Sequence, residues 1–347
     1  MVPVDLFSDT HTLPTAAMRS AMANALVGDE QMGEDPTTRL LQDRVAELLD
    51  TEAALFLPTG SMCNKVGVAA LTRPGDAVIC DSMAHVLRFE GGGSAVLSGV
   101  VFEPLATEKG WFTPDQVEAV PIGGNVYQPR SALVTLENTN NFGGGTVWPI
   151  DIYEAVCATA RERGSAVFTD GARLLNASAA SGIVPSRWAA SVDGLWIDLS
   201  KGLGCPGGAV LAGSAGFIAE ANRFKYMFGG GLRQSGILAA AGVYALDHHL
   251  DRLTDDHVRA ARFAEGLAAL GYSVETPETN MAFFDPTPVG LTASEAVARF
   301  VAQGVRVSVV AGRIRAVTHL DVDDAGIDAA LAVAAGIAAA SANSTSG

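Results

Sequence analysis

The sequence predicts an α/β fold, a mostly parallel seven-stranded sheet covered by helices, followed by a small α+β domain. Two observations carry this. From about residue 53 to 212 short apolar, β-branched runs alternate with helical stretches, and after residue 233 the pattern changes to Ala-rich helix and then short strands. At 347 residues the chain also exceeds the usual size of a single core.

Strands are expected at 54–57, 77–80, 100–104, 132–137, 166–169, 194–199 and 209–212. Between them Thr113-Pro114-Asp115 pairs an N-cap with proline at the first helical position. Residues 150–163 read as a helix closed by Gly164. One or two long helices are expected over 233–270, short strands around 272–284 and 305–317, and helices over 294–302 and 325–340. This divides the chain into an N-terminal segment and large domain (1–246), a small C-terminal domain (247–340) and a frayed tail (341–347), which lacks apolar anchors.

Composition narrows the function. Lys and Arg number 23 against 38 Asp and Glu, a net charge of -15, so nucleic acid and anionic membrane are disfavoured as partners by repulsion. Cys63, Cys80, Cys157 and Cys205 are far apart, form no metal or redox motif, and read as buried, reduced thiols. The start, Met1-Val2-Pro3-Val4-Asp5, has no basic or apolar leader pattern, and no run of about 18 apolar residues follows. A cytoplasmic protein acting on a small molecule is expected.

The run Trp196-Ile197-Asp198-Leu199-Ser200-Lys201-Gly202 ends a predicted strand in a lysine among glycines. Such an amine can serve as a Schiff-base nucleophile, although a lysine there is also read simply as a solvated charge. Asp170, at the end of the preceding strand, is a carboxylate able to pair with the pyridine nitrogen of pyridoxal 5'-phosphate (PLP), or to cap a turn before Gly171. Both would lie at the carboxyl edge of the sheet, where α/β folds bind ligands. Thr59-Gly60-Ser61 joins a strand to a helix whose free N–H groups suit a phosphate. His85 follows another strand and can stack on a cofactor ring or carry a substrate proton. Arg173, Arg233 and Arg315 are candidate grips for a carboxylate or phosphate.

Together these residues resemble the threonine aldolases, a branch of the fold-type I PLP enzymes, over nearly the whole chain. The likeness is densest at Ser8-Asp9-Thr10, Gly33-Glu34-Asp35-Pro36-Thr37, Leu136-Glu137-Asn138-Thr139, Asp170-Gly171-Ala172-Arg173, Leu199-Ser200-Lys201-Gly202-Leu203-Gly204, Gly229-Gly230-Gly231-Leu232-Arg233-Gln234 and Val317-Thr318-His319-Leu320-Asp321-Val322. The resemblance implies PLP as cofactor, with Lys201 as its Schiff-base lysine, Asp170 on the ring nitrogen, His85 on the ring face and as candidate base, Gly60 and Ser61 on the phosphate, and Thr59, Arg173, Ser200 and Arg233 as further cofactor-binding residues. It implies Ser8, Arg173 and Arg315 on the substrate carboxylate, and cleavage of a β-hydroxy-α-amino acid to glycine and an aldehyde. It also implies a homo-oligomer, a tetramer or dimer, in which Arg233 acts across an interface. The sequence departs from the family pattern at Phe7, His11, Leu13, Met32 and Asn140, and Tyr127 stands where a second substrate-facing histidine is usual. A phenol, with a pKa near 10, is a poor base at neutral pH. Two other readings of the same residues are a different PLP-dependent lyase, racemase or aldol-type transferase, and a non-catalytic PLP-fold binding protein.

Overall fold

A computed structural model describes residues 4–344 of the chain. Its main sheet has seven strands in the order Ala53–Leu57, Ala209–Gly213, Gly194–Asp198, Ala166–Gly171, Ser131–Glu137, Ala77–Asp81 and Val101–Leu105. Only Ala209–Gly213 runs against its neighbours, so six strands point the same way and share one carboxyl edge. Each strand expected from the sequence forms, within a residue or two of its predicted ends.

Alternation along the strands explains why both faces are covered. In Ala53–Leu57, Ala54 and Phe56 enter one apolar cluster while Leu55 and Leu57 enter another. Leu195 and Ile197 likewise face away from Trp196. The first face is sealed by helices Pro36–Leu49, Ile150–Glu162 and Gly236–His248, the second by Gly60–Leu71 and Ala215–Met227. On the first face Trp148, Tyr153 and Trp188 form a chain of edge-on rings 5.8 and 5.1 Å apart, each contact worth roughly 1 kcal/mol beyond its buried area.

A second core gathers around the strand Met281–Asp285 and the helices Ala293–Ala302 and Asp324–Ser344. The position expected as the domain boundary, Asp247, lies inside the helix Gly236–His248. The next helix, Leu253–Ala269, sends Leu253 into the first core and Phe263, Ala264 and Leu267 into the second. The start of the chain departs from the expected division. Strand Val4–Asp5 pairs in parallel with Val305–Arg306, and Val4 and Leu6 are buried in the second core. An isolated two-residue strand needs a partner edge, and the small domain supplies it.

The tail also differs from expectation. The helix Asp324–Ser344 continues through the first residues of the predicted frayed segment, and Ser341 is buried, its hydroxyl accepting a hydrogen bond from Arg299. Residues 345–347 lie outside the described residues. The window Asp324–Ser341 is apolar and long enough by composition to cross a membrane. Its Ile327, Ala330, Ala334 and Ile337 are nonetheless spaced along one helical face and packed into the second core.

Candidate active site

The carboxyl edge of the sheet opens into a cavity of about 660 Å³. Ser8, Thr59, Gly60, Ser61, His85, Asp170, Arg173, Ser200, Lys201 and Arg315 all line it, which unites ten of the twelve candidate residues. The other two lie elsewhere. Tyr127 sits in the turn before strand Ser131–Glu137, at the amino end of the strand whose carboxyl end reaches the cavity, and is 93% exposed. Arg233 is exposed and ion-paired with Asp29 at 2.9 Å.

Lys201 follows the turn after strand Gly194–Asp198, and its amine lies 2.9 Å from Asp198 Oδ2 and 5.7 Å from the centre of the Trp196 ring. Asp198 Oδ1 accepts from the backbone N–H and the hydroxyl of Ser200, both at 2.8 Å, which fixes the turn. Asp170, near the end of the adjacent strand Ala166–Gly171, is buried. Burial raises its pKa, while His85, Lys201 and a hydrogen bond from Asn64 favour the ionised form.

Asn64, on helix Gly60–Leu71, organises this interior. Its amide nitrogen donates to Asp170 Oδ2 at 2.7 Å and to Glu90 Oε1 at 2.8 Å, and its carbonyl accepts from the Trp196 indole at 2.8 Å. Glu90 in turn lies 3.0 Å from His85 Nδ1. The same Glu90 oxygen already accepts from Asn64, which selects the tautomer with the proton on Nδ1 and leaves Nε2 as the acceptor. Burial alone would lower the His85 pKa, but the bond to Glu90 and the negative fields of Asp170, Glu90 and Glu137 raise it overall. Glu137 positions the same histidine, accepting from the backbone N–H groups of His85 and Asn141, both at 2.9 Å. Burial and the neighbouring Asp170 push Glu137 up to about 7.

On the small-domain side, Arg173 is held by Asp9 through two bonds of 2.7 Å. Burial works against the Asp9 carboxylate, yet the Arg173 guanidinium holds its pKa well below the usual range. Arg315 donates to Asn141 Oδ1 at 2.8 Å and to the carbonyl of Phe7 at 3.2 Å, while its buried Nε has no hydrogen-bond partner. Burial and the nearby Arg173 lower Arg315 to about 10, so it remains a cation at neutral pH.

The residues fit PLP. A reactive amine and a buried carboxylate share the cavity. The twelve-residue helix Gly60–Leu71, capped by the Thr59 hydroxyl, aims its free N–H groups into it. At Gly60 a Cβ would stand 2.5 Å from the Trp196 ring and 3.2 Å from Asp198, so only glycine lets the start of this helix pack against strand Gly194–Asp198. A family model described as "Beta-eliminating lyase" matches residues 5–287. The chain belongs to this β-eliminating lyase family, in its threonine aldolase branch. It is a PLP-dependent lyase. It is 41% identical over 321 residues to the low specificity L-threonine aldolase of Escherichia coli (strain K12), covering 92% of this chain and 94% of that protein. It is 39% identical over 334 residues to a probable low-specificity L-threonine aldolase 2 of Arabidopsis thaliana, covering 94% of each. The solved threonine aldolase of Leishmania major shares the fold, with a TM-score of 0.82 at 20% identity, covering 97% of this chain and all of that one.

Sequence reasoning missed Asn64, Glu90, Glu137 and Asp198 as members of the site of this lyase. Glu137 and Asp198 were legible as acids ending predicted strands, as Asp170 is. Asn64 and Glu90 carry no local signal, because their partners lie on other elements.

Proposed function

We propose that the protein cleaves β-hydroxy-α-amino acids of the L-threonine and L-allo-threonine type to glycine and an aldehyde. The observation that carries this reading is the pairing of His85 with Glu90 beside the Lys201–Asp170 cavity. It supplies a base for a hydroxyl proton where the amine and carboxylate supply cofactor binding.

When bound, PLP supplies an electron sink for the pair released as the Cα–Cβ bond breaks. Lys201 is the amine that would hold the cofactor, and Asp170 the carboxylate that would keep a proton on the ring nitrogen. Thr59, Gly60, Ser61 and Ser200 would hold the phosphate. Ser8, Arg173 and Arg315, all lining the cavity, grip the substrate carboxylate. With one end anchored, the β-hydroxyl is brought to His85, whose neutral form accepts its proton at Nε2 and returns a proton to the product side. Glu90 keeps the imidazole in the accepting tautomer and stabilises the cation it becomes, while Glu137 holds the backbone of His85 in place.

We also propose a cytoplasmic homo-oligomer, tetramer or dimer, in which Arg233 serves a neighbouring copy's site. The exposure of Arg233 outside its own chain's cavity supports this, and light scattering tests it. The test of the activity is product analysis: L-threonine and L-allo-threonine should release glycine and acetaldehyde, and Lys201→Ala should abolish both. Keto acid plus ammonia as sole products would replace aldol cleavage with elimination.

A further inference from the structure

Besides the amine, carboxylates and arginines described above, the cavity is lined by Met83, Phe89, Phe142, Val309 and Val310. The Phe89 and Phe142 rings stack there with centroids 4.2 Å apart and planes 12° from parallel, and Phe89 reaches the His85 ring at 5.9 Å.

Phe142 stands on a loop fixed independently of its own side chain. The Asn140 N–H donates to the Thr146 carbonyl at 3.0 Å, and the Gly145 N–H to the Asn140 carbonyl at 2.8 Å. The Asn140 amide donates to the Gly110 carbonyl at 3.3 Å and its oxygen accepts from Gly143 at 2.7 Å. Arg313, itself paired with Glu275, donates to the Phe142 carbonyl at 3.0 Å. One residue earlier, Asn141 accepts from Arg315. The aromatic wall is therefore tied to the arginine that grips the carboxylate and borders the histidine that takes the β-hydroxyl proton. A substrate held at both points presents its β-substituent to this wall.

We infer that Phe89 and Phe142 are specificity-determining residues, selecting aryl and other bulky apolar groups on the β-carbon over the methyl group of threonine. This rests on the aldolase reading for the position of the β-carbon. Flat stacked rings offer a large rigid contact area to an aryl group, whereas a methyl group fills little of it and leaves water against the wall.

The test compares kcat/KM for L-threo-phenylserine and L-threonine, with calorimetric binding of two uncleavable analogues, L-phenylalanine and L-2-aminobutyrate, to the holoenzyme. In the unaltered protein the aryl compound should lead by on the order of tenfold or more in both measurements. Phe142→Ala and Phe89→Ala should each shrink both ratios severalfold, and Phe142→Leu should shrink them less. Phe142→Leu and Phe89→Leu decide the matter if the alanine variants fail to fold. Ratios that stay unchanged in the variants, or an unaltered protein that favours the methyl compounds, overturn the assignment. Absence of glycine from both hydroxy acids removes the aldolase reading instead, and the analogue binding ratio then still decides whether the wall selects aryl groups.

Discussion

Asp9 meets Arg173 in a forked grip, Oδ2 to Nε and Oδ1 to Nη2, both at 2.7 Å, with both side chains withdrawn from water. The pair joins the start of the chain to the helix that follows strand Ala166–Gly171, and Asn280 adds a third donor to Asp9 at 3.2 Å. Asp9→Ala leaves a guanidinium buried without its counter-charge, which should cost about 3–5 kcal/mol in denaturant unfolding. The pH dependence has a definite sign. The folded-state pKa of Asp9 is depressed, so its contribution is fully present above the unfolded value of about 4 and is lost as pH falls toward the folded value. The difference in stability between the unaltered protein and Asp9→Asn should therefore narrow in acid.

The Glu90–His85 contact predicts a pH signature. Because the His85 pKa is raised, the rising limb of kcat/KM, where the imidazole becomes neutral, should lie above the ordinary value of about 6.5. Glu90→Gln removes one cause of the upward shift, so the limb should move to lower pH. His85→Ala should reduce kcat/KM by roughly 10²–10⁴-fold. An unmoved limb in Glu90→Gln would exclude the imidazole as its source.

Asn64 satisfies two buried acids and an indole at once, and its replacements should rank by chemistry. Asn64→Ala strips a hydrogen bond from each of Asp170, Glu90 and Trp196 and should cost about 1–3 kcal/mol or more in thermal or denaturant unfolding. Asn64→Asp is nearly the same shape but adds a negative charge between two carboxylates. It should raise the Asp170 pKa further and weaken cofactor retention, measured by dialysis and absorbance, more than Asn64→Ala does.

The hairpin joining Ser308–Val310 to Arg313–Val317 turns through Ala311 and Gly312, both with positive φ, at 49° and 81°. Glycine tolerates this, but alanine pays for its Cβ, and a two-residue turn of this hand favours Asn-Gly. Ala311→Asn should stabilise the protein by about 0.5–1 kcal/mol, readable as a higher Tm.

The features legible in the sequence were those in which function sits on a local pattern. A strand followed by lysine among glycines, a strand ending in Asp-Gly, and a Thr-Gly-Ser turn into a helix place Lys201, Asp170 and Thr59–Ser61 at one edge of the sheet. The parallel sheet followed from the same alternation. What remained hidden depended on chain segments far apart in sequence. Asn64 and Asp170 are 106 residues apart, and Asp9 and Arg173 are 164 apart, so neither contact leaves a trace in spacing. Tyr127 was placed near the substrate by its position in a family pattern, but in this chain it precedes a strand whose opposite end reaches the cavity. Asn140, noted in the sequence only as a departure, is the buried anchor of the loop bearing Phe142.

The parallel pairing of Val4–Asp5 with Val305–Arg306 has a consequence for biogenesis. The opening strand has no edge to join until the ribosome has added roughly 300 further residues, a wait of some tens of seconds at ~5–20 residues per second. Ser8 and Asp9, carried on that segment, therefore reach their stations only after Val305–Arg306 has been made. The cavity is therefore completed only after every strand of the sheet beneath it has been synthesised.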